Sequence, residues 1–340
     1  MRLLVTGGAG FIGSSFVQRA MARTDVDQLT VIDKLTYAGN PANLAEVAGD
    51  PRYRFVQADI NDAAVVNDLM RDADAVVNFA AESHVDRSIE EADAFVRTDV
   101  HGTFTLLESA RETGIGRFVQ VSTDEVYGDV AEGSSSETDA LRPRSPYAAS
   151  KAAGDLLALA YHTTHGVPVM ITRGSNTYGP RQYPEKVIPL FITNAIDHEP
   201  LPLYGDGLQV RDWLHVDDHC AAVEAVLDRG TPGEIYNAGG TASLTNIELT
   251  RRLLALLDRP ESLIRHVADR PGHDRRYALD SSRLRALRWG PRVGLDEGLA
   301  ATVEWYRDNE AWWRPIKSGS FRDYYRRLYA DRLATSTAGA

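Results

Sequence analysis

The chain has 340 residues, 43% hydrophobic and 25% charged, an ordinary globular composition with room for a full core and two domains. Its formal net charge of −11 argues against a nucleic-acid or anionic-membrane partner, and its single cysteine, Cys220, excludes an intramolecular disulfide framework and fits a reducing compartment. No apolar run reaches the roughly 20 residues that span a bilayer. No Cys/His cluster has zinc spacing, so no metal is expected. The chain starts directly on a strand with no signal peptide, which makes the cytoplasm the expected compartment.

Arg2-Leu3-Leu4-Val5-Thr6 reads as a short buried strand that runs into Gly7-Gly8-Ala9-Gly10-Phe11-Ile12-Gly13, after which a helical pattern begins. Glycines at 7, 10 and 13 permit a tight turn and let the backbone approach a pyrophosphate seated on the helix N-terminus. Leu29 to Asp33 is a second strand, ending in an acid 20 residues past Gly13. A carboxylate there bonds both ribose hydroxyls and repels a 2′-phosphate, which favours NAD over NADP, although Lys34 beside it would soften that repulsion.

Arg54 to Ile60 is the third strand, with Asp59 either an acceptor for an adenine or part of a helix N-cap between Asp59 and Asp62. Asp74 to Ala81 is the fourth and leads into Glu82-Ser83-His84-Val85-Asp86-Arg87-Ser88, where small Ala80 and Ala81 leave room for a cofactor. Phe95 to Thr113 has the apolar stripe of one long helix. Arg117 to Val121 is a buried parallel strand that delivers Ser122-Thr123-Asp124-Glu125-Val126-Tyr127-Gly128 to its carboxyl end, where open α/β sheets bind ligands. Adjacent acids on a loop are ordinarily just solvated. Here a cofactor loop precedes them and Tyr147-x-x-x-Lys151 follows, at the start of a helix running through Leu156 and Ala160. Residues four apart share a helix face, and a Lys beside a Tyr lowers the phenol pKa so that it can act as a base near neutrality.

Val167 to Arg173 is another strand, ending in Gly174-Ser175-Asn176-Thr177-Tyr178. From there the βα rhythm breaks. Pro200 to Gly207 reads as a flat apolar wall with an aromatic suited to stacking a base, or as a Pro-rich hairpin. Arg211 to Asp218 is expected to return to the first domain, Glu234 to Gly240 to add a strand to the main sheet, and Asn246 to start a helix through Leu256. Asp269 to Tyr277 is a basic turn in an acidic protein, with arginines suited to bidentate phosphate binding. The closing helices with Trp305, Trp312 and Trp313 read as structural. The expected fold is α/β: a Rossmann-type doubly wound parallel sheet over residues 1–175 plus about 213–240. A smaller C-terminal substrate-binding domain takes 176–212 plus about 241–330, and 331–340 is expected to be a flexible tail.

With these motifs together, the sequence resembles the extended short-chain dehydrogenase/reductases and, within them, the dTDP-glucose 4,6-dehydratases, to about Arg326. The broader mark is the glycine loop with Tyr147 and Lys151. The narrower one is Thr123-Asp124-Glu125 with the segments Ala81–Ser88, Tyr183–Pro189 and Arg270–Asp274. The resemblance implies a lyase with tightly held NAD, a nucleotide-sugar substrate and a homodimer built from paired helices. It implies Gly7, Gly10, Phe11, Ile12, Gly13, Asp33, Lys34, Leu35, Thr36, Asp59, Ile60, Phe79, Ala80, Ala81, Ser83, Thr98, Tyr147, Lys151 and Thr177 as cofactor contacts. Ser83, Thr123, Asn176, Lys186, Val187, Pro202, Leu203, Tyr204, Arg211, Asn246, Asp269, Arg270, Pro271, Gly272 and His273 would hold the nucleotide-sugar.

The reaction expected from the resemblance oxidises C4, eliminates water across C5 and C6, and returns the hydride to C6. It yields a 4-keto-6-deoxy sugar for rhamnose or secondary-metabolite deoxysugar synthesis. Tyr147 would take the C4 hydroxyl proton, Lys151 would tune Tyr147, Thr123 would bond O4, Asp124 would be the acid and Glu125 the base. A UDP-glucose 4,6-dehydratase or a nucleotide-sugar 4-epimerase is the alternative, and the epimerase has no use for Asp124-Glu125. A simple alcohol oxidoreductase would accumulate NADH. The chain departs from the family pattern at two places. Many relatives carry Cys-Ser-Asn-Asn-Tyr where this chain has Gly174-Ser175-Asn176-Thr177-Tyr178, and Asp99 stands where they often have Asn, so that an added acid needs a partner or a raised pKa.

Overall fold

The βα rhythm of the first half becomes one parallel sheet in the computed structural model, which describes residues 1–336. In chain order the strands are β1 (Arg2–Thr6), β2 (Gln28–Asp33), β3 (Tyr53–Gln57), β4 (Ala75–Asn78), β5 (Arg117–Thr123), β6 (Val169–Gly174), β7 (Asn176–Tyr178), β8 (Leu201–Tyr204), β9 (Val210–His215), β10 (Ile235–Ala238), β11 (Ala242–Thr245) and β12 (Ile264–Val267). The main sheet has the order β10-β6-β5-β4-β1-β2-β3 with every pairing parallel. Order reverses between β1 and β4, so their carboxyl ends frame the crevice in which such sheets bind ligands.

Parallel strands covered by helices on both faces need apolar residues on both, and successive positions divide accordingly. Leu3, Val5, Val77 and Val119 join a core with the helices Phe11–Met21 and Val216–Arg229. Leu4, Val76 and Phe118 join another with Ala63–Arg71, Thr103–Thr113 and Pro146–His165. The expected long helix from Phe95 is broken. A turn at Ala92–Phe95 passes into a wide, π-type stretch, Val96–Gly102, before regular helix resumes at Thr103. The backbone at Gly102 packs closely on the loop after β3, where a Cβ would lie 2.4 Å from Ile60 Cδ1, and the wide turn buries Thr98 and Asp99.

The later chain forms a second body with its own core of Leu190, Phe191, Leu253, Leu299 and Trp313. Two small sheets line it, β11-β9-β7 and β12-β8. The segment Pro200–Gly207 is therefore no hairpin, because β8 pairs in parallel with distant β12. Nor does β9 itself rejoin the main sheet. It stays in the small sheet, and the helix Val216–Arg229 makes the return, tied to the helix Phe11–Met21 by Arg19–Glu224 at 2.6 Å. The last helix, Ser320–Ser336, occupies much of the segment expected as a tail, and residues 337–340 lie outside the described residues.

Candidate active site

The carboxyl ends of β1, β2, β4, β5 and β6 open onto a cavity of about 280 Å³. Its cofactor side is built around glycines that leave no space for a side chain. Gly7 has φ +65°, and a Cβ there would stand 2.6 Å from Ala80 N; on Gly13 it would meet Gly7 O at 2.3 Å. Asp33 ends β2 nearly buried, its two oxygens accepting from Ala9 N at 2.9 Å and Leu35 N at 2.8 Å, so the acid also braces the glycine loop. Lys34 is engaged by neighbouring side chains. Its ammonium donates to Thr98 Oγ1 at 3.0 Å and lies near Asp59 and Glu82, at 3.7 and 3.9 Å. These features fit a dinucleotide without a 2′-phosphate.

Gly7, Gly10, Phe11, Ile12, Gly13, Asp33, Lys34, Thr36, Ile60, Phe79, Ala80, Ala81, Ser83, Thr98, Tyr147, Lys151 and Thr177 all line the cavity. Leu35 and Asp59 do not. The Leu35 side chain packs on the first core, in a backbone turn at φ 58°, and Asp59 accepts from the Asn61 backbone and side-chain amides at 2.9 and 2.8 Å. The N-cap of the next helix is Asp62, which accepts from Val65 N at 3.2 Å.

Two further acids lie close to Lys34 and Lys151. Asp99 is buried, accepts from Ser150 Oγ at 2.8 Å and Glu82 N at 3.0 Å, and is pushed up to about 6 by burial despite the Lys151 charge. Glu82 is pushed up to about 7, chiefly by burial, against the pull of Lys34 and with repulsion from Asp99. Folded Glu82 thus holds its proton across pH 4.5 to 7, where a solvated glutamate has released it, and the native state binds more protons than the unfolded chain there. Stability must then fall as pH rises through that window, by up to about 1.4 kcal/mol per pH unit. The advantage of Glu82→Gln over the parent in urea unfolding midpoint should grow between pH 4.5 and 7; a constant difference would contradict this proton placement.

At the end of β5, Thr123 caps a single tight turn, Asp124–Tyr127, by accepting from Glu125 N at 3.3 Å, and its hydroxyl donates to Asp124 Oδ1 at 3.2 Å. The two adjacent carboxyls have unlike surroundings. Asp124 is 3% exposed, its Oδ2 has no hydrogen-bond partner, and burial, Glu125 and Asp212 hold its pKa well above the usual range. Glu125 is raised by burial too, but Arg270, Arg211 and Lys186 all favour its charged form. These surroundings favour the protonated form of Asp124 more strongly than that of Glu125.

Tyr147 and Lys151 share a face of Pro146–His165, a helix capped by Ser145 Oγ, which accepts from Ala148 N at 3.1 Å. Thr123 is within hydrogen-bonding reach of Tyr147. The phenol does not sit low, as the Tyr/Lys spacing suggests. Burial, Glu125 and Asp99 push it well up, and Lys151 Nζ donates to Val121 O at 2.7 Å.

Of the expected substrate contacts, Ser83, Thr123, Asn176 and Lys186 line the cavity, with Lys186 Nζ bonded to Ser83 O. The rest do not line it. Val187 opens the helix Val187–Ile196, the Leu203 side chain is in the second core, and Pro202 is buried beside it. Asn246 opens the helix Asn246–Leu257 beyond its N-cap Thr245. Arg211 crosses the Tyr277 ring at 4.4 Å and donates to Asp274 O at 2.9 Å. Arg270 faces Asp86 at 3.7 Å, His273 bonds Asp269 at 2.6 Å, and the His273 ring meets Tyr204 edge-on. Gly272, at φ 67°, makes the turn beside Pro271, where a Cβ would stand 2.7 Å from Arg144 O.

The site has known counterparts. The family model for GDP-mannose 4,6 dehydratase matches residues 4–302. A dTDP-glucose 4,6-dehydratase of Streptomyces niveus is 54% identical over 323 residues, 94% of this chain and 96% of that protein. Another, from Streptomyces griseus, is 56% identical over 317 residues, 92% and 96% of the two chains. The chain belongs to the dTDP-glucose 4,6-dehydratase family. The crystal structure of DesIV, a dTDP-glucose 4,6-dehydratase from Streptomyces venezuelae solved with NAD bound, is 56% identical, with a TM-score of 0.92 over 93% of this chain and all of that one. A UDP-glucuronic acid 4-epimerase from Bacillus cereus shares the architecture at 28% identity, with a TM-score of 0.87 over 91% of this chain and all of that one.

Against that family background, several cavity residues escaped the sequence reading. Glu185 is buried and pairs with Arg87 at 2.9 Å and Tyr37 OH at 2.8 Å, and the Arg87 guanidinium lies between the Tyr37 and Tyr324 rings at 3.9 and 4.0 Å. Its signal was adjacency to Lys186. Tyr329, in the last helix, stacks on Tyr204 with ring centroids 6.1 Å apart. Unlike Tyr329, His219 lines the cavity itself, and no motif marked either residue.

Proposed function

We propose that the chain is an NAD-dependent dTDP-glucose 4,6-dehydratase acting in deoxysugar synthesis. The observation that carries this is the asymmetric carboxyl pair at the end of β5: a buried Asp124 whose pKa is held well up by burial, Glu125 and Asp212, beside a Glu125 that three cations pull towards its charged form. Elimination of water across C5 and C6 needs one group to give a proton to the departing C6 hydroxyl and another to take the C5 proton. A 4-epimerase needs neither.

NAD, when bound, supplies the hydride acceptor for C4 and the hydride donor for C6. The chain does the proton work. Tyr147 exchanges the O4 proton, Thr123 holds O4, and Lys151 supplies the cation that lowers the cost of a phenolate. A C4 ketone makes the C5 proton removable, so Glu125 would take it while Asp124 protonates the leaving oxygen, and a proton would go back to C5 as C6 is reduced. Lys186, Arg211 and Arg270, the cations around Glu125, would compensate the diphosphate charge, and Tyr204 backed by Tyr329 would offer a ring to the base.

The test is incubation of purified protein with dTDP-glucose and, separately, UDP-glucose, without added NAD. Loss of water with no accumulated NADH is expected, faster with dTDP-glucose. Faster turnover of UDP-glucose would reassign the base, and unchanged mass with a galactose product would overturn the dehydratase in favour of the epimerase.

A homodimer fits the same reading. Val96, Phe104 and Leu156 are 54%, 41% and 57% exposed on the paired helical segments Val96–Thr113 and Pro146–His165, whose Phe104 and Tyr161 rings meet edge-on. Such a face suits a second copy. Leu156→Arg should convert a dimer to a monomer by light scattering; an unchanged dimer would place the interface elsewhere. Among the described residues no helix is long and apolar enough to cross a membrane.

A further inference from the structure

Residues 37–46 follow β2 and so belong to the first body, yet the second body holds them along their length. Tyr37 OH donates to Glu185 at 2.8 Å, and its ring meets Tyr183 edge-on with centroids 5.3 Å apart. Trp312 Nε1 donates to Asn43 Oδ1 at 2.9 Å, and Arg181 pairs with Glu46 at 2.7 Å. The anchors are themselves fixed. The other oxygen of buried Glu185 accepts from Arg87 Nε at 2.9 Å, and the Arg87 guanidinium lies on the Tyr37 ring at 3.9 Å. The Trp312 ring packs edge-on against Trp305 and Tyr306 beside the second core.

What this segment does is set by where it runs. Thr36, Ala38 and Gly39 line the cavity from the first body, and Gln182, Tyr183, Glu185 and Lys186 line it from the second, so the contacts of Tyr37 join two of its walls. Between them the chain turns back on itself. Gly39 N donates to Thr36 O at 3.1 Å, and a Cβ on Gly39 would stand 3.0 Å from Asp33 Oδ1.

Further along, Asn40 N and Asn43 Nδ2 both donate to Ala9 O, each at 3.0 Å, and Ala9 belongs to the glycine loop. Asn43 is 2% exposed, and its amide has one possible orientation here. The indole N–H can only donate and the Ala9 carbonyl can only accept, so the oxygen faces Trp312 and the NH2 faces the loop. A tryptophan of the second body thus fixes the amide that holds the backbone of the dinucleotide turn.

We propose that residues 37–46 are a strap that the second body fastens across the dinucleotide site, with Tyr37 and Trp312 as positioning residues that slow the release of NAD. The proposal rests on NAD being the cofactor. The chemistry gives the strap its use. A hydride taken from C4 returns to C6 within one turnover, so cofactor lost between the two steps would strand an oxidised sugar.

The test mixes purified holoenzyme with an excess of isotopically labelled NAD and follows the bound dinucleotide by mass after denaturation. Tyr37→Phe removes the hydroxyl and keeps the ring; Trp312→Phe removes the indole N–H. Each should speed exchange about three- to ten-fold over the parent, the loss of one hydrogen bond. If Trp312 acts through Asn43, adding Trp312→Phe to Asn43→Ala should change exchange little beyond Asn43→Ala alone. During turnover of dTDP-glucose, Tyr37→Phe and Trp312→Phe should lose activity progressively, and added NAD should restore it, which it would not do for a merely structural defect. Parental exchange rates in both single variants would overturn the strap while leaving NAD as the cofactor. Should Trp312→Phe fail to fold, Tyr37→Phe decides alone. A parent that neither carries nor takes up NAD would overturn the cofactor reading and the strap together.

Discussion

Asp124→Asn should lower dehydratase turnover by about 10² to 10⁴-fold while leaving oxidation at C4 measurable. The substitution is nearly isosteric, and the Thr123 hydroxyl can still donate to the amide oxygen as it does to Asp124 Oδ1 at 3.2 Å. What is lost is a transferable proton at the buried, unpartnered Oδ2. Absorbance of a reduced nicotinamide should therefore build up when dTDP-glucose is added, with no loss of water by mass. Glu125→Gln should show the same block for the opposite reason, lack of a base. The parent's rate should rise with pH as Glu125 ionises and fall where Asp124 does, and because Asp124 lies well above the usual carboxyl range the falling limb lies well above ordinary carboxyl titration. Full turnover by Asp124→Asn would refute the acid assignment and the asymmetry on which the function rests.

Much of this site was legible because it depends on local patterns. A strand, a glycine turn and a helix start announce themselves within a dozen residues, and Gly7 and Gly13 make the close-packed turn while Asp33 ends the second strand beside it. The Thr123–Glu125 turn and the Tyr147/Lys151 face are equally local. What was hidden depends on contacts between remote segments. The wide turn at Val96–Gly102 packs through Gly102 on Ile60, over forty residues earlier in the chain. The pairing of β8 with β12 joins segments about sixty residues apart, so Pro200–Gly207 could only be read as a wall or a hairpin. Tyr329 reaches Tyr204 across 125 residues, from a helix that looked merely structural. The environment of Tyr147 was only partly legible for a related reason. Spacing places Lys151 on its face, but only the assembled site shows Asp99 and Glu125 opposing that charge, and Lys151 bonded to Val121 O.

Arg173→Met should destabilise the protein by about 3–5 kcal/mol in urea unfolding, the cost of leaving one partner of a buried ion pair uncompensated. Arg173 Nε donates to Asp155 Oδ2 at 2.8 Å, and the two side chains are 2% and 0% exposed. The same carboxylate oxygen accepts from Ser122 Oγ at 3.0 Å, and Arg173 Nη1 donates to Tyr127 OH at 2.8 Å, which in turn donates to Asn237 Oδ1 at 2.8 Å. The network thus grips both ends of the segment that carries Asp124 and Glu125: Ser122 before it and Tyr127 after it. Stability and positioning can be separated. In Arg173→Met/Asp155→Leu no charge is left buried, so most of the lost stability should return, as it does when hydrophobic groups replace buried pairs elsewhere. Turnover should not return, because Tyr127 and Ser122 still lack the partners that aim the catalytic turn. A double variant as unstable as the worse single one would mean that the pair contributes net stability. A stable double variant with parental turnover would mean that the carboxyls are aimed without it. A stable double variant with impaired turnover is the expected result, and it would show that the fold holds a costly buried charge for the geometry of the two acids.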